Sequence, residues 1–163
     1  MIFYDCLTAP SPRRARIFLA EKNAEYESVL IDLSKAEQLG DAYRAINPRC
    51  TVPALKLDDD TVLTENAGIA AYLEAAYPDK PLLGATATEK GLIAAWNSSI
   101  EFDGLYPIAE ALRNASPGLK DRAITGPDNH AQIPELAARG RRRVELFFDR
   151  LNEHLKDREF IIT

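Results

Sequence analysis

The chain has 163 residues, of which 46% are hydrophobic and 28% charged, and its formal net charge is −5. This composition is ordinary for a globular protein and lacks the low hydrophobicity that accompanies disorder. An acidic chain neutralises phosphate backbones poorly, so we expect no nucleic-acid partner. No apolar run approaches the roughly 20 residues of a membrane-spanning helix, and the N-terminus lacks the basic region of a secretory signal, so we expect no membrane partner.

Cysteine and histidine are scarce in this sequence. Cys6, Cys50, His130 and His154 lack the spacing of a zinc site, and the two cysteines form no CxxC redox motif. We therefore expect no bound metal. Two thiols in a chain of this size are typical of a reducing compartment, which predicts a cytoplasmic protein.

The first 80 residues alternate strand and helix patterns. Residues 2–5 predict a buried strand, Ser11 and Pro12 predict the cap and first residue of a helix that ends near residue 22, and residues 28–33 predict a second strand. A strand, helix and strand in this order indicate two parallel strands joined by a right-handed crossover.

A second group of elements follows in the same half. The pattern predicts a weak helix over 35–46, a hairpin of strands 54–57 and 61–63, and a helix over 65–77 that Thr64 caps. Adding the hairpin to the parallel pair predicts a four-stranded mixed sheet flanked by helices.

From residue 85 onward the sequence is helical in character. Thr86 and Glu89 have the spacing of a capping box, Pro107 interrupts the helix that follows, and 135–157 is strongly amphipathic. The sequence thus predicts an α/β domain over 1–80 and an all-α domain over 86–163.

Three stretches of the first half carry a family resemblance. They are SPRRARIFLAEKN (11–23), NPRCTVPALKLDDDTVLTEN (47–66) and GIAAYLEAAYP (68–78), and PLLG (81–84) closes the domain. Together they resemble the cytosolic glutathione S-transferase superfamily of the bacterial type. The resemblance implies an N-terminal thioredoxin-like domain with a four-stranded mixed sheet, followed by an α-helical bundle domain.

The resemblance also implies an activity. Members conjugate the thiolate of glutathione, their co-substrate, to a small electrophilic and often hydrophobic substrate in detoxification, and they work without metal as cytoplasmic homodimers. Two alternatives stay open. One is a non-catalytic dimerisation or interaction module, since a fold does not fix a function. The other is a glutathione-dependent reductase or peroxidase that uses Cys6 or Cys50.

The glutathione-binding residues follow from the same resemblance. In the family the bond corresponding to Val52-Pro53 is cis and presents the backbone of Val52 to the cysteinyl part of glutathione. Glu65 pairs with the γ-glutamyl ammonium, while Asn66, where the family usually has serine, holds the carboxylate with the helix start. Thr51 stands where many members bind the glycine carboxylate through a longer polar or basic side chain.

Arg49, two residues before Thr51, is the alternative for that glycine carboxylate. Its other interpretation is a solvated loop arginine.

The catalytic residue implied by the resemblance follows the first strand. Family enzymes stabilise the thiolate there with tyrosine, serine or cysteine, and Ser11 is our choice because a helix start favours an anion. Cys6, Thr8 and Tyr4 lie nearby, and a water molecule is a further alternative.

The C-terminus departs from the family pattern. The chain stops at the apolar run 160–163, where family members continue into a helix of the α domain. The resemblance therefore predicts that the C-terminal part is missing and that the α-helical domain is incomplete. We expect an exposed apolar face with low stability or self-association.

Overall fold

A four-stranded mixed sheet organises the N-terminal half, in a computed structural model that describes residues 1–162. Its strands are β1 (Ile2–Asp5), β2 (Glu27–Leu30), β3 (Ala54–Lys56) and β4 (Val62–Leu63), in the order β2-β1-β3-β4. β1 pairs in parallel with β2 and antiparallel with β3, which pairs antiparallel with β4. The predicted mixed sheet is confirmed, with β1 at its centre.

Three helices accompany these strands. They are α1 (Pro10–Glu21), the single turn α2 (Asp41–Arg44) and α3 (Asn66–Ala76). The fully buried side chains of Phe3, Leu19, Leu55, Ile69 and Leu73 form the core between β1, β3, α1 and α3. Each stabilises the fold by about 1.5–3 kcal/mol through removal from water.

α2 contacts the opposite face of β1. Side chains alternate along a strand, so Tyr4 points away from the side that buries Phe3. The Tyr4 ring meets the Tyr43 ring of α2 edge to face, with centroids 5.8 Å apart.

Two predicted helix starts are wrong. α1 begins at Pro10 after the cap residue Ala9, and α3 begins at Asn66 after the cap residue Glu65; within the described residues neither cap makes a side-chain capping bond. Ser11 is therefore the second residue of α1 and not its cap. Pro10 has a fixed φ and no N–H, so it can begin the helix without a capping side chain. Thr64 likewise lies outside α3.

The segment between β2 and the hairpin differs from the prediction as well. β2 ends at Leu30, and two 3₁₀ turns, Leu33–Lys35 and Glu37–Leu39, precede α2 where one weak helix was expected over 35–46. Asp32 accepts a hydrogen bond from the Ser34 backbone N–H at 2.9 Å. Such local side-chain bonds compete with strand and helix continuation.

Lys22, at the end of α1, is buried and joins this helix to the end of α3. Its Nζ donates to the carbonyls of Tyr77 at 2.8 Å and Lys80 at 2.6 Å, and it pairs with Glu74 Oε2 at 2.6 Å. Glu74 also accepts from the Leu82 N–H at 3.0 Å. One buried cation thus fixes the chain after α3.

The second half contains the helices α4 (Ala87–Ser99), α5 (Tyr106–Ala115) and α6 (Pro134–Leu155). The capping box is confirmed: Thr86 Oγ1 accepts from the Glu89 N–H at 3.2 Å, and Glu89 accepts from the Thr86 N–H at 3.0 Å. The amphipathic helix predicted over 135–157 is confirmed as α6.

A six-residue π-helical segment, Ile100–Leu105, connects α4 to α5. Pro107 lies in the first turn of α5, so the predicted interruption of the helix is present at this point. Gly140 of α6 lies against the α5 backbone, where an added Cβ would come within 2.7 Å of the Pro107 carbonyl oxygen. Glycine is therefore required for this close approach of two helices.

The chain divides into two compact units. One comprises Met1–Leu82 with Thr125–Pro127, and the other comprises Leu83–Ile124 with the residues from Asp128 onward. The predicted domain bounds, 1–80 and 86–163, stay a prediction. The apolar run at the chain end forms no strand over 160–162, and Thr163 lies outside the described residues.

Residues 1–162 contain neither a membrane-spanning helix nor a cluster of metal-binding side chains. No helix in this range is long and apolar enough to cross a membrane. No group of three or more His, Cys, Asp and Glu side chains in this range is placed to hold a metal ion.

We expect Lys22→Ala to lower the free energy of unfolding by about 3–5 kcal/mol, because it removes the buried cation that pairs with Glu74. Urea denaturation followed by circular dichroism measures the change. The matched control is Lys80→Ala, whose ammonium pairs with Glu21 at the surface and is worth less than about 1 kcal/mol. Equal losses for the two variants would contradict this assignment.

Candidate functional site

Two predicted site residues meet across the N-terminal unit. Ser11, in the first turn of α1, accepts a hydrogen bond from Asn66, the first residue of α3; the Nδ2 to Oγ distance is 2.8 Å. The contact places the predicted catalytic hydroxyl beside a predicted glutathione-binding residue.

The loop before β3 is fixed by Asn47, whose side chain is fully buried. Its Nδ2 donates to the Thr51 carbonyl at 2.7 Å and to Thr51 Oγ1 at 3.1 Å, and its Oδ1 accepts from the Arg49 N–H at 3.0 Å. The Tyr43 hydroxyl donates to the same Thr51 carbonyl at 2.7 Å. The peptide that leads into Val52 is therefore held by two donors.

The Val52–Pro53 peptide bond is cis, as the resemblance implies, and Pro53 is fully buried. Thr51 serves here as an anchor of the loop, because both its carbonyl and its hydroxyl accept from Asn47. Its expected role toward the glycine carboxylate stays a prediction.

Cys50 adopts a left-handed backbone conformation with φ +54°. This region of backbone conformation favours glycine, because a side chain is strained there. The Cys50 side chain is buried and its Sγ lies 3.6 Å from the Pro48 carbonyl oxygen.

Glu65 is the cap residue of α3, and its side chain is turned toward another partner. Its Oε1 lies 3.2 Å from Nη1 of Arg49, and both side chains are largely exposed. The Glu65 carboxylate, which is predicted to bind the ammonium of glutathione, is thus paired with the Arg49 guanidinium.

Arg16 of α1 holds the segment between β1 and Ser11. Its guanidinium pairs with buried Asp5 at 2.5 Å and donates to the carbonyls of Cys6 at 3.3 Å and Leu7 at 3.4 Å. These bonds connect the end of β1 to the helix that carries Ser11.

The two cysteines are unpaired and buried. Reactive cysteines are partly exposed and lie in electropositive surroundings, whereas buried structural cysteines are inert. Cys6 Sγ lies 3.5 Å from Thr8 Oγ1 and Cys50 Sγ faces a carbonyl, which disfavours a nucleophilic role for either thiol.

One buried polar atom of the site has no hydrogen-bond partner within the described residues. It is Oδ1 of Asn66, whose Nδ2 is bonded to Ser11. A buried amide oxygen without a donor costs about 1–3 kcal/mol. Asn66 therefore has one bonded and one unbonded amide atom beside Ser11.

Comparison with known proteins assigns the family. The profile of the glutathione S-transferase N-terminal domain matches residues 8–76. The crystal structure of a glutathione S-transferase domain-containing protein from Marinobacter aquaeolei VT8 covers 99% of this chain and 78% of its own, with 31% identity and a TM-score of 0.88. This chain belongs to the glutathione S-transferase superfamily. The predicted thioredoxin-like domain and the helical domain that follows it are confirmed.

Two further similarities agree with this assignment. The crystal structure of Gtt2 from Saccharomyces cerevisiae covers 99% of this chain and 76% of its own, with 34% identity and a TM-score of 0.86. Glutathione S-transferase 2 from the same species is 40% identical over 121 residues, which are 73% of this chain and 52% of that protein. The chain spans about half the length of the curated relatives it matches.

Three residues that shape the candidate site are not among the residues predicted from the sequence. Asn47 directly follows the helix predicted over 35–46, and asparagine commonly bonds its own backbone two residues on. Tyr43 and Arg16 act through contacts with Thr51 and Asp5 that no local pattern indicates.

Burial raises the pKa of Tyr43 to about 12 from its ordinary value of 10. The folded state therefore holds this proton more tightly, and up to about 3 kcal/mol of stability is present below pH 10 and lost as the pH rises to 12. We expect the free energy of unfolding of Tyr43→Phe to fall less steeply than that of the parent chain over this range, measured by urea titrations at each pH.

The control for this pH dependence is Tyr106→Phe, because that ring is exposed. It should follow the parent chain throughout. If the free energy of unfolding of Tyr43→Phe falls with pH in parallel with that of the parent chain, ionisation of Tyr43 does not cause the loss of stability at alkaline pH.

Proposed function

We propose that this chain is a glutathione transferase that conjugates the sulfur of glutathione to a small electrophilic, often hydrophobic, substrate. The observation that carries the proposal is the hydrogen bond between Asn66 and Ser11. It joins a hydroxyl suited to the sulfur with a side chain suited to the γ-glutamyl group. Membership of the superfamily supports glutathione as the co-substrate.

Ser11 is the proposed catalytic residue. A hydroxyl has one hydrogen and two acceptor positions, and the Asn66 amide fills one acceptor position of Ser11. The Ser11 hydrogen stays available for a further acceptor. Bound glutathione supplies a thiol whose free pKa is near 8.5, and a donor in the first turn of α1 stabilises its thiolate.

The proposed binding residues lie in the same unit as Ser11; they are Thr51, Val52, Pro53, Glu65 and Asn66. Val52 presents its backbone to the cysteinyl part of glutathione in the manner of an added strand. Glu65 takes the γ-glutamyl ammonium through a charge-assisted hydrogen bond. The contribution of the chain to the rate is proximity and stabilisation of the thiolate.

The setting proposed for this activity follows the family. We propose that the protein is cytoplasmic, forms a homodimer and acts in detoxification. Each chain would comprise an N-terminal domain over 1–80 and a helical domain over 86–163. The buried positions of Cys6 and Cys50 argue against the reductase alternative.

We expect Ser11→Ala to lower kcat/KM for glutathione and 1-chloro-2,4-dinitrobenzene by about 10- to 100-fold, because a hydrogen bond to the thiolate is lost. The pH–rate profile should move to higher pH by about 1 to 2 units. This shift reports the pKa of the bound glutathione thiol, which stopped-flow measurement of the thiolate absorbance gives directly.

Thr8→Ala is the matched control for Ser11→Ala, since the Thr8 hydroxyl contacts Cys6 rather than Asn66. It should keep the parent rate. A full rate in Ser11→Ala would disprove the catalytic role, and glutathione binding without turnover in the parent chain would favour the interaction module.

We expect Asn66→Ala to weaken glutathione binding by about 10-fold, because its amide joins the ligand to Ser11. The rate losses of Asn66→Ala and Ser11→Ala should be less than additive in the double variant, since both break one contact. Calorimetry gives the affinities and steady-state kinetics the rates. Strictly additive losses would show that the two residues act separately.

A further inference from the structure

The carboxylate of Asp5, at the end of β1, is a buried charged group that the proposed function does not use. The Asp5 side chain is 2% exposed, and its Oδ1 accepts from Nη1 of Arg16 in α1 at 2.5 Å. The Arg16 side chain is 23% exposed. Loss of either partner would leave a charge without its counter-ion inside the protein, so the pair fixes the Arg16 guanidinium at one place.

The Arg16 guanidinium also binds the backbone of the turn that follows β1. Nη1 donates to the Cys6 carbonyl at 3.3 Å, and Nη2 donates to the Leu7 carbonyl at 3.4 Å. The Cys6 carbonyl accepts in addition from the Ala9 N–H at 3.1 Å, which closes the turn. Two nitrogens of one planar group thus hold a carboxylate and two successive carbonyls.

This turn leads directly into the helix start that carries Ser11. α1 begins at Pro10, and its cap residue Ala9 makes no side-chain capping bond within the described residues. A capping side chain normally ties the first turn of a helix to the residue before it, so the first turn of α1 depends on other contacts. Arg16 lies later in the same helix, and helical side chains point back toward the N-terminus. Its guanidinium thereby holds the chain that enters the uncapped first turn.

The position of this turn matters for the proposed catalytic hydroxyl. A hydrogen bond weakens steeply when its atoms are misaligned, so a shift in the first turn of α1 reduces what the Ser11 hydroxyl contributes to a thiolate. Asn66 holds Ser11 Oγ from the side of α3 at 2.8 Å. Arg16 holds the backbone that leads into Ser11. The hydroxyl is thus supported from two directions, and the sequence predicts a role in the site for Asn66 alone.

We infer that Arg16 is a positioning residue for the proposed reaction, which acts through Ser11 by holding the turn between β1 and α1. The inference rests on the proposed function, because it assumes that Ser11 stabilises the thiolate of glutathione. It assigns the ion pair with Asp5 to stability and the contacts with the Cys6 and Leu7 carbonyls to catalysis. These two contributions are separable by experiment.

Arg16→Lys keeps a cation beside Asp5 but loses the contact with the Leu7 carbonyl, because lysine has one nitrogen where arginine uses two. Its thermal unfolding midpoint should therefore stay close to that of the parent chain. The pKa of the bound glutathione thiol, measured by stopped-flow titration of the thiolate absorbance, should rise by about 0.5 to 1 unit. Below that pKa, kcat/KM should fall by about 3- to 10-fold. Calorimetry with S-methylglutathione, which has no ionisable thiol, should give an affinity within about twofold of the parent value.

Two further variants complete the experiment. When Ser11→Ala and Arg16→Lys are combined, the thiol pKa should equal that of Ser11→Ala alone, because Arg16 acts through Ser11. Arg13→Lys is the matched control, since Arg13 is an exposed arginine of the same helix, and it should behave as the parent chain. Lysine is preferred to alanine at position 16, because alanine would leave the buried Asp5 carboxylate unpaired and destabilise the fold itself.

The outcomes distinguish this inference from the proposed function. A parent chain without turnover, or a parental thiol pKa in Ser11→Ala, overturns both together. A parental thiol pKa in Arg16→Lys overturns the inference alone, and so does a further rise when the two substitutions are combined, because Arg16 would then act on the thiolate by its own charge. Unfolding of Arg16→Lys, or loss of its affinity for S-methylglutathione, also overturns the inference, since Arg16 would then be a general structural residue.

Discussion

The buried side chain of Asn47 is the constraint on which the site depends most. Its donor half holds the Thr51 carbonyl and its acceptor half holds the Arg49 N–H. A buried amide that loses such partners costs about 1–3 kcal/mol, so the loop has little freedom to leave this conformation. Asn47 therefore fixes the position of the peptide that leads into Val52 and the backbone of Arg49.

The contact between Ser11 and Asn66 is a consequence of the apolar core. Leu19 of α1 packs with Ile69 and Leu73 of α3 against the sheet, and all three are fully buried. Close packing leaves two helices little freedom to slide, so their first turns are held at a fixed separation. A hydrogen bond at 2.8 Å between the first turns then follows from packing several residues away.

The sequence was informative wherever the signal was local. The short buried-strand pattern at residues 2–5 located β1, the acidic turn located the hairpin, and Thr86 with Glu89 marked the start of α4. The predicted start of α1 was wrong because two local signals competed. Pro10 and Pro12 both suit a helix start, and the helix begins at Pro10. Contacts between distant segments, such as Arg49 with Glu65, have no local signature, because they depend on where the folded loops come together.

Buried polar groups that hold the backbone in place differ in their hydrogen bonding from one buried group of the candidate site. Lys22 and Asn47 are buried where they hold backbone, and each makes several hydrogen bonds. In the described residues only two buried side-chain oxygen or nitrogen atoms lack a partner, Oδ1 of Asn66 and Oε1 of Gln38 in a 3₁₀ turn. Folding tends to eliminate such atoms, so these two stand out against a framework whose other buried polar side chains are bonded, and one of them lies beside Ser11.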